Sequence, residues 1–337
     1  MDTDLLIVGG GPAGCAAAVM AASVGMRSVL VESGEALCGG LRRIPVVRNV
    51  LGFTTGPGLA AAIETDIARC APCRVELGRR ATRVEAFDDH VAITFEPANG
   101  AVGTSPPRPA KAPAGATRLT ASYAVVATGV GPMGPEGAGW LSGAEGRGLS
   151  PLWEADPAEL ADRTVLVLGA DRPLGTCARA HPELNVRFLV GYPPEDAYKT
   201  EEIGQDPRVE LVAVRRLELA PGSAPGREGL TAEALTVAGE RHTLRADRGY
   251  LNLGSAPALP TGAVATDGSG YCPPARQHPR VFTAGDLRSA RFQRIATAMG
   301  SGGEAALGAY YASRGLPVDL GTAAPDRTGG DGDAVRP

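Results

Sequence analysis

Apolar positions fall into short solid runs separated by glycine-rich turns and by stretches of small residues with helical character. Residues 5–8 (LLIV) form the first run and predict a strand. Residues 16–24 are helix formers, and residues 28–31 (SVLV) predict a second strand that ends at Glu32. The order strand, tight turn, helix, strand is that of a parallel unit whose apolar runs are core. A second unit of the same kind opens at residues 164–168 (TVLVL) and continues to a strand over 186–190. Between the two, residues 84–95 and 119–127 predict strands, and residues 59–69 predict a helix leading into a strand over 74–77. Further strands are expected at 209–214 and 250–253, and a small-residue helix at 293–312.

The turn of the first unit carries Gly9-x-Gly11-x-x-Gly14, with Pro12 and Ala13 between the last two glycines. In this context the first glycine permits the turn, the second lets backbone approach a pyrophosphate and the third lets helix pack on strand. Glu32, followed by Ser33, stands where a carboxylate accepts hydrogen bonds from a ribose. The other reading of the glycines is a βαβ turn without a ligand. The second unit reads VLGADRPLG over residues 167–175: Gly169 is present, but Asp171 and Leu174 stand where the other two glycines belong. The fold expected is therefore α/β, with two Rossmann-like (three-layer ββα) dinucleotide-binding domains, the second inserted in the first. The boundaries expected are 1–130 with 247–316 for the first domain and 140–246 for the second, with a disordered tail over 317–337.

Composition narrows the chemistry. The 337 residues suit two domains, and an apolar fraction of 44% is ordinary for a folded protein. Residues 97–117 and the tail are rich in Gly, Pro and Ala without periodicity, and predict a long loop and a disordered end. A formal net charge of −4, with no basic stripe, excludes nucleic acid as an expected partner. The apolar N-terminus is broken by Gly9, Gly10, Gly11, Pro12 and Arg27, so it is read as core of a cytoplasmic protein and not as a membrane span. Six scattered Cys predict reduced thiols.

Taken in order, GGGPAG with Glu32, Gly39-Gly40, Asn49 with Gly52-Phe53, Ala127-Thr128-Gly129, and Gly285-Asp286 followed by Gln293-Arg294-Ile295-Ala296 resemble the low-molecular-weight thioredoxin reductases. The resemblance runs from about residue 4 to 315. It implies FAD in the first domain, with Ala81 near the adenine, Asp286 on the ribityl chain and the start of the last helix at the flavin edge. It also implies a homodimer. Three departures stand out. Leu152 and Ala155 occupy the places of the family's redox Cys pair. Leu41 stands where a polar residue usually meets the flavin. Asp171 brings a negative charge to the place of a pyrophosphate, and Gly191-Tyr-Pro-Pro-Glu-Asp196 stands in place of the basic residues that take the NADPH 2′-phosphate. Asp171 and Pro173 suit a helix start, so the Asp171 carboxylate is expected to cap the second helix itself.

Other candidates carry two readings each. Cys70 and Cys73 form a Cys-x-x-Cys that is structural or a relay dithiol. Glu195 is a loop residue or an NADH ribose ligand. His278 is a turn residue or lies near the flavin. Arg42, Arg43, Arg288 and Arg291 are solvated or bind an anionic substrate, and Trp153 stacks or fills space. The function expected is an FAD-dependent oxidoreductase acting on a small organic substrate, without ordinary NADPH use or a dithiol centre, and with a protein redox partner as an option. The alternatives are an NAD(P)H-dependent flavoprotein reductase and a non-catalytic FAD-binding partner protein.

Overall fold

The computed structural model describes residues 1–98, 116–201, 203–221 and 229–318. The loop and tail expected at 97–117 and 317–337 lie almost wholly outside them. The chain divides into two compact units, residues 1–130 with 257–337, and residues 131–256.

In the first unit the elements run β1 (Thr3–Val8), α1 (Pro12–Ser23), β2 (Ser28–Val31), α2 (Gly56–Arg69), β3 (Cys73–Glu76), β4 (Arg79–Ala86), β5 (Val91–Pro97) and β6 (Thr117–Val126). The chain leaves on β7 (Val130–Pro132). In the second unit come β8 (Leu141–Ser142), α3 (Pro157–Leu160), β9 (Arg163–Leu168), α4 (Pro173–Ala180), β10 (Val186–Tyr192), β11 (Val209–Leu219), β12 (Leu230–Thr236), β13 (Arg241–Ala246) and β14 (Arg248–Leu251). It returns on β15 (Ser255–Pro257), which pairs with β7. The first unit is completed by β16 (Thr261–Gly262), β17 (Val281–Thr283) and α5 (Ile295–Ser313).

The first sheet has the order β16-β4-β5-β6-β1-β2-β3, with β17 also on β6. β6 is long enough to serve two layers. Its first half pairs antiparallel with β5, and its last residues pair parallel with β1 and β17. β1 is buried on both faces, which is why it reads as a solid apolar run. Leu5 and Ile7 join the core under the helices, and Leu6 and Val8 join the core under the β4–β5 meander. The second unit repeats this with Leu166 and Leu168 on one face of β9 and Val165 and Val167 on the other.

Helix α1 is almost all small residues, and this sets how close α5 comes. Gly302 of α5 lies so near Ala13 that a Cβ there would stand 2.0 Å from the Ala13 carbonyl oxygen. Ala298, Ala305, Ala306 and Ala309 bury the rest of the α5 face. Two expectations are corrected here. The single strand over 84–95 is a hairpin, because Asp88 and Asp89 close a turn in which the Phe87 amide donates to the His90 carbonyl at 2.9 Å. The return to the first unit falls after 256 and not at 247, because β14 pairs parallel with β9 inside the second sheet; likewise residues 131–139 belong to the second unit.

Candidate active site

The glycine loop of the first unit shows what each glycine does. Gly9 has φ +104°, and a Cβ there would lie 2.3 Å from the Ala127 carbonyl oxygen; at Gly14 it would lie 1.8 Å from the Gly9 carbonyl oxygen. Both positions are closed to any side chain. Gly11 is different, since nothing lies within 4 Å of its Cβ position. It is the N-cap of α1 and offers no side-chain cap, while Pro12 takes the first helical position and the buried Ala13 the second. The helix start therefore faces open space with amides free of side-chain acceptors, a place suited to an anion.

Glu32 ends β2 beside that opening. Its Oε2 accepts from the Gly10 amide at 2.5 Å, and Oε1 accepts from the Gly34 amide at 2.7 Å and the Ser33 hydroxyl at 3.1 Å. Gly39, Gly40 and Gly129 also have nothing within 4 Å of a Cβ position, and Gly129 holds φ +68°. Beside Gly129, the Thr128 hydroxyl is buried and has no hydrogen-bond partner in the protein. Open glycines along the C-terminal ends of the strands and an orphaned hydroxyl among them fit a dinucleotide laid across the sheet, as FAD would be.

The C-terminal part completes this edge. Gly285 has φ +80°, its amide donates to the Ser301 hydroxyl at 2.8 Å, and Asp286 follows it in a short turn. Gln293 Nε2 donates to the Ser289 and Asp286 carbonyls at 3.1 and 3.3 Å, which ties this turn to the approach to α5. Arg294 is the N-cap and Ile295 the first residue of the helix, so the helix begins two residues later than expected, and Ile295 packs on the core. Ala81 sits at a register shift in β4, and Asn49 lies in a bend with Gly52 at φ +81°. Leu41 needs correction as a flavin-facing residue. It is 4% exposed and belongs to the core beneath the helices, where its carbonyl meets the start of α2.

The second unit keeps the first glycine's geometry alone. Gly169 has φ +103°, and its Cβ position lies 2.3 Å from the Asn252 carbonyl oxygen, matching Gly9 against Ala127. From there the two loops diverge. Leu174 is fully buried in the core, and α4 starts one residue later in the motif than α1 does. The expected capping by Asp171 does not occur. The N-cap is Arg172, without a side-chain cap bond, and Asp171 turns instead to Lys199, whose Nζ lies 3.7 Å from Asp171 Oδ1 and 2.9 Å from Asp196 Oδ1. An ammonium offers a full charge where helix amides offer only part of one, and Lys199 reaches it from the short helix at 194–199. Burial pulls the Lys199 pKa down, but the hydrogen bond and charge of Asp196, with Asp171 behind it, leave it above the ordinary lysine value. Asn252, 4% exposed, donates to the Gly169 and Asp171 carbonyls at 3.2 and 2.8 Å and locks the loop. Glu195 is exposed, and Leu152 is buried.

Residues 4–99 match the family model described as FAD dependent oxidoreductase, the stretch that carries the open glycine loop and Glu32. Over this stretch the chain is similar to FAD-dependent oxidoreductases. Its fold is that of the thioredoxin reductases. The Lactococcus lactis enzyme superposes with a TM-score of 0.72 at 20% identity, covering 93% of this chain and 100% of that one. Thioredoxin reductase of T. acidophilum gives 0.68 at 24% identity, with 93% and 99% covered, and bacillithiol disulfide reductase of Bacillus cereus gives 0.67 at 18%, with 93% and 100% covered. An alkyl hydroperoxide reductase polypeptide of Staphylococcus aureus is 26% identical over 329 residues, which cover 91% of this chain and 58% of that protein. The chain thus spans little more than half the length of these curated relatives.

Several other candidates have partners within the fold. Cys70 caps the C-terminal end of α2 and Cys73 opens β3, and burial raises both thiols above their ordinary value, the opposite of an activated dithiol. His278 Nδ1 accepts from the Arg280 amide at 3.3 Å in a turn. Arg42 pairs with Glu64 and Arg288 with Glu304. Among the described residues no group of three or more His, Cys, Asp or Glu could hold a metal, and no helix is long and apolar enough to cross a membrane. Three residues were missed by sequence reasoning: Lys199, Asn252 and Phe292. The scarcity of lysine in the chain, at 111 and 199 only, was a usable signal for the first. Phe292 is 78% exposed and holds φ +62° just before α5, and no sequence signal pointed to it.

Proposed function

We propose that this oxidoreductase acts on a small organic substrate and does not use NADPH in the manner of the thioredoxin reductases. The observation that carries this reading is the Asp171–Lys199–Asp196 network at the second glycine loop, which puts protein charges where a dinucleotide phosphate would be bound. Leu174, buried where a glycine would let helix and strand approach, supports it. FAD supplies two-electron redox chemistry when bound. The chain's own part is to hold the diphosphate at Gly11 and the start of α1, the ribose at Glu32, and the ring edge near Gly39, Gly40, Gly129, Asp286 and α5. The start of α5, with its partial positive charge, favours negative charge at that edge. Leu152 and Ala155 leave the second unit without a dithiol at the place where the family carries one. Oxygen or a protein carrier is the proposed electron acceptor, and a cytoplasmic homodimer the proposed state.

A second reading, an NAD(P)H-dependent flavoprotein reductase, is favoured by the relation to the Staphylococcus aureus alkyl hydroperoxide reductase. Anaerobic absorbance spectra of the purified protein separate the two. The first reading expects the flavin bands to persist with NADPH and NADH; bleaching at a catalytic rate overturns it in favour of the second.

A further inference from the structure

The first unit holds a pair of thiols that the proposed function does not use. Cys15 lies on the first turns of α1, directly after the glycine loop, and Cys38 lies on the segment after Glu32, directly before the exposed Gly39 and Gly40. Each is 1% exposed, and both belong to the same core cluster. One atom joins them. The carbonyl oxygen of Gly10 accepts from Cys15 Sγ at 3.4 Å and from the Cys38 amide at 2.8 Å. Cys38 is held at φ +56°, a backbone state that a non-glycine residue keeps only where the surroundings impose it. Neither cysteine is joined in a disulfide in this structure.

We propose that Cys15 and Cys38 are a redox-active dithiol built under the FAD cradle, which closes reversibly to a disulfide and ties α1 to the Gly39-Gly40 turn. The neighbouring Cys15 thiol lowers the Cys38 pKa against burial and the Glu64 charge, with Arg42 helping, while Cys38 and burial raise Cys15. The roles follow from this asymmetry together with the place of Cys38 directly before the exposed Gly39-Gly40 turn. Cys38 is the nucleophile and Cys15 the resolving thiol.

With hydrogen peroxide as oxidant, the Cys38 thiolate attacks one oxygen, the O–O bond breaks, and a sulfenic acid and hydroxide form. The Cys15 sulfur then attacks the Cys38 sulfur, and the S–S bond forms as the S–O bond breaks. The Cys15 proton leaves with the departing hydroxyl as water. Both sulfurs are oxidised, peroxide is reduced, and two waters result once the hydroxide takes up the proton lost from Cys38. Cys15 lines a groove of about 930 Å³ on this unit, bordered by α1, α2 and α5. That groove and the exposed glycine turn give a small oxidant two routes to the pair.

The test uses the FAD-loaded full chain, treated with a small excess of hydrogen peroxide, alkylated under denaturing conditions and mapped by mass spectrometry. The expected result is a Cys15–Cys38 linked peptide, formed with the loss of two titratable thiols per chain and removed by dithiothreitol. A C70S/C73S variant, changed only at the other close pair, must give the same linked peptide, and C38S must not lose the two thiols. A Cys70–Cys73 link alone, sulfinic or sulfonic acid at Cys38 without a link, or no thiol loss in folded protein overturns the proposal. The outcome is independent of NADPH use.

Discussion

Replacing Asp171 by Gly tests the closed state of the second glycine loop. A bare carboxylate about 4 Å from a phosphate, at an effective dielectric near 20, repels it by roughly 4 kcal/mol, or about a thousandfold in affinity. Asp171 is not bare. Lys199 stands 3.7 Å away, and each of the two side chains is about four-fifths buried, so the cation cancels much of that field and is itself held by Asp196 at 2.9 Å. Removing the Asp171 charge leaves Lys199 shared with one carboxylate and better placed to attract a phosphate. We expect the remaining repulsion lifted to be about 1.4 to 2 kcal/mol, a gain of roughly ten- to thirtyfold in NADPH affinity. Asp171→Asn, which removes the charge and keeps the bulk, should recover part of that gain. Quenching of protein fluorescence on anaerobic titration with NADPH gives the dissociation constants. If both variants stay within twofold of the parent, or if the parent itself binds NADPH tightly, the charge argument is wrong.

Other consequences are open to measurement. Gly302→Val puts a Cβ 2.0 Å from the Ala13 carbonyl and should lower the thermal midpoint, with a destabilisation of about 1–3 kcal/mol or more, read by scanning calorimetry. Glu32→Ala strips the Gly10 and Gly34 amides of their acceptor and should weaken FAD retention in ultrafiltration far more than Ser33→Ala, whose hydroxyl is exposed. Asn252→Leu leaves the Gly169 and Asp171 carbonyls without their donor and should cost about 1–3 kcal/mol in urea unfolding. Arg208 donates to Asp206 and to the carbonyls of Ala178 and His181 at the end of α4; its hydrogen bond to Asp206 holds that carboxyl below its ordinary value of 3.8. The depressed value places this contribution above pH 3.8 and removes it as pH falls further, so Asp206→Asn should flatten the acid limb of the stability–pH curve there.

The parts of the molecule written in contiguous residues were legible. Solid apolar runs gave β1, β2 and β9, because strands covered on both faces need no alternation, and GGGPAG with Glu32 marked the open helix start. Positions set by distant partners were not. Leu41 faces the core because α2 begins against it, and the hairpin at Asp88 hid inside one stretch read as a single strand. The Asp171 carboxylate was assigned to the nearest amides, as local propensity suggests, whereas Lys199 arrives from a short helix beyond β10. Cys15 and Cys38 are separated by a strand and a loop and meet at one carbonyl, a meeting that sequence spacing does not announce.

Gly9 and Gly169 press equally close on a neighbouring strand end, the first in a loop whose second glycine faces open space and the second in a loop where Asp171 and Leu174 take the later positions. The first glycine of the fingerprint therefore records how two strand ends cross and says nothing about occupancy. Occupancy is written in the second and third positions. A scan that scores the three glycines as one pattern conflates architecture with binding; weighting them separately would sort working nucleotide loops from retired ones in duplicated flavoproteins of this kind.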